Sequence, residues 1–520
     1  MKPHVMACLL TLAASGGAWA QSHIDTVKVT GGTVQGVATG NVVSFKGIPF
    51  AAPPIRLNRW RAPQPVPAWS GVKRADTFGP GCMQDPSMAV MFGAAPNVSE
   101  DCLYLNVWTP AHTASERLPV MVWIYGGAFS AGMTSIPLYD GTRLAQQGVI
   151  VVSIAYRVGP FGFLAARQLA HEARGTGNYG LLDLIAGLQW VNKNINEFGG
   201  DSAQVTIFGE SAGGIAVSML AASPLAKGLF QRAISESGGN FQPPKFANEG
   251  GLNELPLKLA EKEGEQFLDN LGTHDIMAAR TVSADLIQRD AGPALAARFW
   301  PVLDGYVLPA DEYELYERNR FNDTPVLIGT NSDEGALFAQ PGVTATSFQT
   351  QVRQGYDIKA SSILAAYPSR TDAEAATSSK NLFRDTAFAW PTWAWARLQS
   401  RVGKNPVFVY YFDHRTPLSP EGATHGAEMQ YVFGNFDPRQ GAPSAADVAL
   451  SEHMMTYWVN FAKTGNPNGP GLPNWPAFNQ NAQQVLYLDT TIAAKPLPNS
   501  AQLQVLDDYF SWRRAEAEKR

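Results

Sequence analysis

Ser211 stands in Gly209-Glu210-Ser211-Ala212-Gly213-Gly214, between the apolar run Val205-Thr206-Ile207-Phe208 and the helix-forming Ile215-Ala216-Val217-Ser218-Met219-Leu220. Strand, glycine-flanked turn and helix, in that order, are the context of a Gly-x-Ser-x-Gly nucleophile elbow. Small residues at 209 and 213 let the backbone fold back sharply enough to leave Ser211 alone at the tip. The helix that follows points unpaired N–H groups and the positive end of its dipole at charge developing on an attacked carbonyl oxygen. The chemistry implied is nucleophilic attack on an acyl carbon. A serine hydroxyl at neutral pH needs a base within hydrogen-bond reach for this, and the base needs an acid to orient it.

For a serine on such an elbow, the acid and then the histidine follow along the chain. His414, His425 and His453 are the histidines beyond Glu334. His425 lies in the glycine-flanked loop Gly422-Ala423-Thr424-His425-Gly426, after a predicted strand from Pro406 to Phe412, where an exposed imidazole can be held. His414 comes too soon after that strand, and His453 falls within a predicted helix. The acid is expected just after a strand, where Asn331-Ser332-Asp333-Glu334-Gly335 offers two carboxylates. Either Asp333 or Glu334 could hold the imidazole tautomer, so chemistry leaves the pair open. Gly126-Gly127-Ala128-Phe129 closes the almost wholly apolar strand Pro119 to Tyr125, and a loop of that kind can turn backbone N–H groups toward a substrate oxygen.

The elements needed to position these groups are those of a large, mainly parallel α/β sheet. Buried strands are predicted at Pro119 to Tyr125 and Ile150 to Ile154, and further strands at Arg232 to Glu236, Pro325 to Gly329 and Pro406 to Phe412. Short antiparallel strands are expected between Asp25 and Phe50, then extended proline-rich chain from Pro53 to Pro67. Leu181, Leu184, Leu188, Val191, Ile195 and Phe198 form one stripe of an amphipathic helix stopped by Gly199-Gly200, a core-packing pattern. Residues 245 to 320 and 340 to 400 read as helical and irregular insertions, which in a sheet enzyme cap the site and carry its selectivity. Trp512 to Arg520 reads as a solvated terminal helix. Gly175 to Gly180 matches Gly-x-Gly-x-x-Gly, but it follows a helix-like run and not a strand, so a dinucleotide site is rejected.

The chain has 520 residues, 45% hydrophobic and 16% charged, with a formal net charge of -5. The mild acidity and the lack of a basic block argue against a nucleic-acid partner. Lys2, an apolar run from Val5 to Ala14 and the small-x-small triplet Ala18-Trp19-Ala20 read as a secretory signal peptide over residues 1–20, with a mature chain from near Gln21. The apolar run is too short to span a bilayer, and Cys8 precedes most of it, badly placed for a lipid anchor. No stable membrane insertion is expected of residues 21–520, read as a single domain. Loss of Cys8 leaves Cys82 and Cys102, an even pair in an exported chain, which favours a disulfide over a thiol or metal site.

Taken together, the motifs resemble those of the type-B carboxylesterases, the α/β-hydrolase family that includes the cholinesterases. The resemblance runs through Gly47-Ile48-Pro49-Phe50, Glu100 to Val107, Asn178-Tyr179-Gly180-Leu181, Phe208 to Gly214, Pro301-Val302-Leu303-Asp304-Gly305, Asn331 to Gly335, His425-Gly426 and Trp458 to Gly465. It implies an α/β-hydrolase fold, a central mixed and mostly parallel sheet flanked by helices, with helical insertions over the site. It also implies a serine carboxylesterase that needs no cofactor or metal, with Glu334 as the acid and His425 as the base. The oxyanion hole falls on the backbone N–H groups of Gly127, Ala128 and Ala212, and the family disulfide on Cys82 and Cys102.

Glu210 and Ser237 take places where the family keeps polar groups near the histidine. Ala128 departs from the family's third glycine, and its methyl is expected to narrow the range of bulky acyl or alcohol groups. The Met83 to Asp101 loop has Met88, Val90, Met91 and Phe92 where cholinesterases hold a tryptophan, so a neutral apolar ester is expected over a choline ester. A non-catalytic binding module on the same fold, and hydrolysis of amides, carbamates or thioesters, are the alternative readings.

Overall fold

The computed structural model describes residues 24–517 except 86, 88, 89, 91, 92, 247, 248, 250, 251 and 293–297. The predicted signal peptide and Met88, Met91 and Phe92 lie outside the described residues; Val90 is exposed. Among the described residues, one eleven-stranded sheet dominates. Its strands, in chain order, are β1 (Val37–Thr39), β2 (Val42–Pro49), β3 (Tyr104–Thr109), β4 (Leu118–Ile124), β5 (Ile150–Ile154), β6 (Gly200–Glu210), β7 (Arg232–Glu236), β8 (Val326–Asn331), β9 (Val407–Phe412), β10 (Gln484–Leu488) and β11 (Ala493–Pro496). The spatial order is β11-β10-β9-β8-β7-β6-β4-β5-β3-β2-β1. Pairing is parallel from β10 through to β5 and antiparallel at both margins. The mixed, mostly parallel sheet is thus the one expected.

Burial explains which strands are central. Val120 to Ile124 and the apolar residues of β5 are fully inaccessible, as continuous apolar strands covered by helices on both faces must be. Helix α1 (Tyr179–Asn194), continued by a 3₁₀ turn (Ile195–Phe198), buries the whole predicted stripe. Helix α2 (Ala212–Ala222) is buried at every residue, which its small and apolar composition permits. Within the second insertion, helix α3 (Asp372–Arg384) runs into helix α4 (Trp390–Val402), and helices α5 (Ala445–Thr464) and α6 (Ser500–Ala517) follow.

The structure corrects the reading at three places. Strand β6 begins at Gly200, with an irregularity in pairing before Val205, so its polar first half was not legible as strand. Strands β10 and β11 at the sheet margin were not anticipated, being short and flanked by polar residues. The terminal helix is not simply solvated: Arg513 is 6% exposed. It forms a two-pronged ion pair with Glu249, while Arg514 reaches Asp311 at 2.8 Å, so this end of α6 is docked on the first insertion.

Cys82 and Cys102 are joined as a disulfide, both fully buried. No helix among the described residues is long and apolar enough to cross a membrane.

Candidate active site

Strand β6 ends at Glu210 and α2 starts at Ala212, leaving Ser211 as the single residue of the turn with φ 56° and ψ −125°. That left-handed conformation is strained for a non-glycine residue, and the packing around it shows what holds it. A Cβ on Gly213 would sit 2.0 Å from the Ile124 carbonyl oxygen, and one on Gly209 would sit 2.6 Å from the same oxygen. The turn can close against β4 only with glycine at both places. The Ser211 N–H donates to the Glu236 carbonyl at 2.9 Å, tying the elbow to β7.

The glycine-rich loop after β4 passes directly beside the elbow, since a Cβ on Gly126 would meet the Ser211 Cβ at 2.9 Å. Gly127 has φ 110°, and Ala128 and Phe129 hold left-handed φ of 54° and 53°. The Gly127 carbonyl accepts from the N–H groups of Ser130 and Ala131, both at 3.0 Å, which tightens the loop into a turn. Gln84, which the sequence reading missed, clamps its far end. The Gln84 amide accepts from the Gly132 N–H at 2.8 Å, donates to the Gly132 carbonyl at 2.7 Å, and also reaches the Cys82 carbonyl at 3.0 Å. The disulfide thereby sits behind the loop. Ala212 is the first residue of α2, so its N–H has no partner four residues back.

The acid and histidine loops are zipped together. The Asp333 N–H donates to the Ala423 carbonyl at 2.8 Å, the Ala423 N–H to the Ser332 hydroxyl at 2.9 Å, and the Asn331 amide to the Thr424 carbonyl at 2.8 Å. This brings Glu334 Oε2 to 2.6 Å from His425 Nδ1, with Glu334 wholly inaccessible to solvent. The other carboxylate oxygen, Oε1, accepts from the Ser237 hydroxyl at 2.5 Å and from the Asn331 N–H at 2.7 Å. On the opposite side of the ring, His425 Nε2 is 3.2 Å from Glu210 Oε1, within ion-pair distance but without hydrogen-bond alignment. His425 and Glu334 are thus brought together, with Ser237 on Glu334 and Glu210 beside the imidazole; Ser211 is the residue after Glu210, and His425 Nε2 makes no hydrogen bond to its hydroxyl.

The sequence model of the carboxylesterase family matches residues 23–506. The chain belongs to the carboxylesterase family. It is 38% identical over 497 residues to the para-nitrobenzyl esterase of Bacillus subtilis (strain 168), covering 91% of this chain and 97% of that protein. It is 36% identical over 481 residues to the fumonisin B1 esterase of Sphingopyxis macrogoltabida, covering 87% and 84%. The liver carboxylesterase of Sus scrofa is 35% identical, with 94% of each chain covered. Among solved structures, a PNB esterase superposes with a TM-score of 0.81 at 36% identity, over 93% of this chain and 99% of that one. A thermophylic PNB esterase gives 0.83 at 35% identity with the same coverage. This carboxylesterase thus has the α/β-hydrolase fold and is a carboxylic-ester hydrolase acting on small-molecule esters.

In the carboxylesterase site three glutamates, 210, 334 and 428, act on one imidazole, and a fourth, Glu236, adds its charge to Glu210 and Glu428; each is 4% exposed or less. Burial pushes the Glu210 carboxyl up to about 8, with His425 opposing and Glu428 and Glu334 adding to the rise. Burial likewise pushes Glu428 up to about 7 and Glu236 well above the carboxylate range. His425 is pushed the other way by desolvation, but the carboxylates of Glu210 and Glu334 outweigh it and raise the imidazole to about 9. So many like charges cannot all be ionised in a dry pocket, so the cluster shares protons among its carboxyls.

Glu428 and Glu236 were also missed in the sequence reading. The Glu428 carboxylate accepts from the Asn331 side-chain amide and lies 3.3 Å from the Ser237 hydroxyl, while Glu236 Oε1 accepts from the Trp458 indole at 2.7 Å. Nothing in their local sequence distinguishes them; their partners come from other strands and helices. The two rejected histidines stand elsewhere. His414 is bracketed by Asp489 on Nδ1 at 2.9 Å and Asp447 on Nε2 at 2.8 Å, and His453 lies on α5 with Nδ1 on the Ala449 carbonyl.

Proposed function

We propose that this chain is an exported serine carboxylesterase working through Ser211, His425 and Glu334 and an acyl-enzyme intermediate. The observation that carries the reading is the 2.6 Å contact between Glu334 Oε2 and His425 Nδ1, which leaves Nε2 turned to the elbow side with no aligned partner. With Nδ1–H donated to the buried carboxylate, Nε2 is the basic nitrogen that accepts the Ser211 hydroxyl proton. The serine Oγ attacks the ester carbonyl carbon. The developing oxyanion is held by the N–H groups of Gly127, Ala128 and Ala212. His425 then gives its proton to the departing alkoxide, and a water deprotonated by the same nitrogen cleaves the acyl-enzyme. Ser237 and Glu210 serve this cycle indirectly, the first by holding Glu334 and the second by facing the imidazolium.

Residues 1–20 form the signal for export in this reading, and residues 21–520 the single catalytic domain that reaches the periplasm or the medium. The Cys82–Cys102 disulfide supports an oxidising destination. The preferred ester carries a neutral apolar group, a reading supported by the aromatic rings of Phe338 and Phe388 beside the imidazole. The test is turnover of short and long p-nitrophenyl esters by the mature protein beside Ser211→Ala. Turnover lost in the variant supports the serine mechanism. A folded wild-type protein that cleaves no ester, or a variant as active as wild type, overturns it.

A further inference from the structure

The imidazole of His425 is clasped by rings as well as by carboxylates. Phe388 stacks on it at 4.5 Å between centroids with the planes inclined by 29°, and Phe338 meets it at 5.3 Å and 61°. Phe383 packs against both phenylalanines, at 4.7 Å and 6.1 Å. Phe388 is 1% exposed and sits in a π-helical turn, Asp385–Ala389, between α3 and α4. Proline at 391 accounts for that turn: it has no N–H for the Ala387 carbonyl, and the wider π spacing relieves the clash its ring would make there.

The turn is bolted to the acid loop. Arg384 pairs with Asp385 at 2.7 Å and donates to the Ser332 carbonyl at 3.3 Å; the Tyr367 hydroxyl donates to Asp385 at 2.9 Å. The element that presents Phe388 is thus anchored two residues from Glu334. We infer that Phe388 is a positioning residue of the esterase reaction, whose ring face holds the His425 imidazole in plane and stabilises the imidazolium formed when Nε2 takes the Ser211 proton. The inference rests on the serine mechanism proposed above.

The physical basis is that an aromatic face attracts a stacked cation, most strongly where water is excluded. A neutral imidazole gains much less, so the ring favours the charged state through which each proton transfer passes. The charged groups facing the imidazole are Glu334 at Nδ1, Glu210 at Nε2 and Glu428 on its own loop, and Phe338 meets it edge-on. None of these supplies an apolar face that fixes the ring plane.

Phe388→Leu keeps an apolar side chain of most of the volume but removes the ring face. On p-nitrophenyl acetate the expected result is a kcat about tenfold lower, KM within about twofold, and the ascending limb of kcat/KM displaced about half a unit to lower pH. Phe388→Tyr should restore both. Should the leucine variant not fold, as judged by circular dichroism, Phe388→Met serves in its place. An unchanged kcat and pH limb, a rise in KM alone, or a tyrosine variant as impaired as the leucine one overturns the inference. Ser211→Ala is assayed alongside. If it keeps wild-type turnover, the serine mechanism itself fails; if it is inactive while Phe388→Leu is normal, only the role of Phe388 fails.

Discussion

Lys380 Nζ lies 2.9 Å from Asp333 Oδ1, while the neighbouring Glu334 holds His425. The two adjacent carboxylates therefore face different neighbours: Asp333 binds a helix of the insertion, and Glu334 binds the imidazole. Gly335 makes this possible, because a Cβ there would lie 2.2 Å from the Lys380 carbonyl oxygen.

The first prediction separates these carboxylates. Glu334→Gln leaves the shape but presents the wrong hydrogen-bonding partner to Nδ1, so kcat should fall by about 10³- to 10⁴-fold. Asp333→Asn removes the ion pair to Lys380, which does not involve the imidazole, and should change kcat less than about tenfold. Steady-state kinetics on one p-nitrophenyl ester decide it. Equal losses would mean that the loop as a whole, and not Glu334, is what matters.

A second prediction concerns pH. The Glu210 carboxylate faces His425 and favours its protonated form, which cannot accept the serine proton. Replacing it by Gln removes that charge, so the imidazole gives up its proton more readily. The ascending limb of kcat/KM should move to lower pH in Glu210→Gln. Profiles between about pH 5 and pH 10 would show it, given an imidazole raised to about 9 in the unaltered site. A limb displaced upward would contradict the sign.

These two cases show why the sequence was informative in some places and silent in others. Ser211, Gly209 and Gly213 are legible together because both glycines lie within two positions of the serine, although the carbonyl that demands both glycines belongs to Ile124 on β4. Asp333 and Glu334 could not be separated by chemistry, since the choice is made by Lys380 and His425, distant in the chain and brought in by two other elements. Glu428, Gln84 and Phe388 were invisible for the same reason. Their roles lie wholly in partners such as Ser237, Gly132 and His425. The docked end of α6 is a parallel instance: a run of charges reads as a solvated face, yet Arg513 finds Glu249 264 positions back along the chain.

Gln84 provides a third prediction. Its amide makes both hydrogen bonds at Gly132 and none to the elbow, so it acts only on the loop that carries Gly127 and Ala128. Gln84→Ala should loosen that loop and leave substrate binding largely intact, lowering kcat by about tenfold while KM changes by less than about threefold. Gln84→Glu keeps the acceptor for the Gly132 N–H and should recover part of the loss. A KM effect with kcat unchanged would place Gln84 in substrate binding instead.

The last prediction tests stability in acid. Desolvation opposes ionisation of Asp447, but hydrogen bonds from Ser444, Tyr431 and His414 outweigh it and hold the carboxyl down to about 2. The group caps α5 and clasps the histidine that follows β9, with the Tyr431 hydroxyl at 2.7 Å and the Ser444 N–H at 2.8 Å. Because the folded-state value lies below the unfolded one, the unfolded chain binds the proton first as pH falls. The stabilisation is therefore complete above about pH 4 and is lost as pH drops toward about 2. Asp447→Asn should lower the urea midpoint at neutral pH and flatten its pH dependence between about 4 and 2. A variant whose midpoint falls with acid as steeply as wild type would show that other carboxylates govern acid unfolding, and that the clasp around His414 contributes little to it.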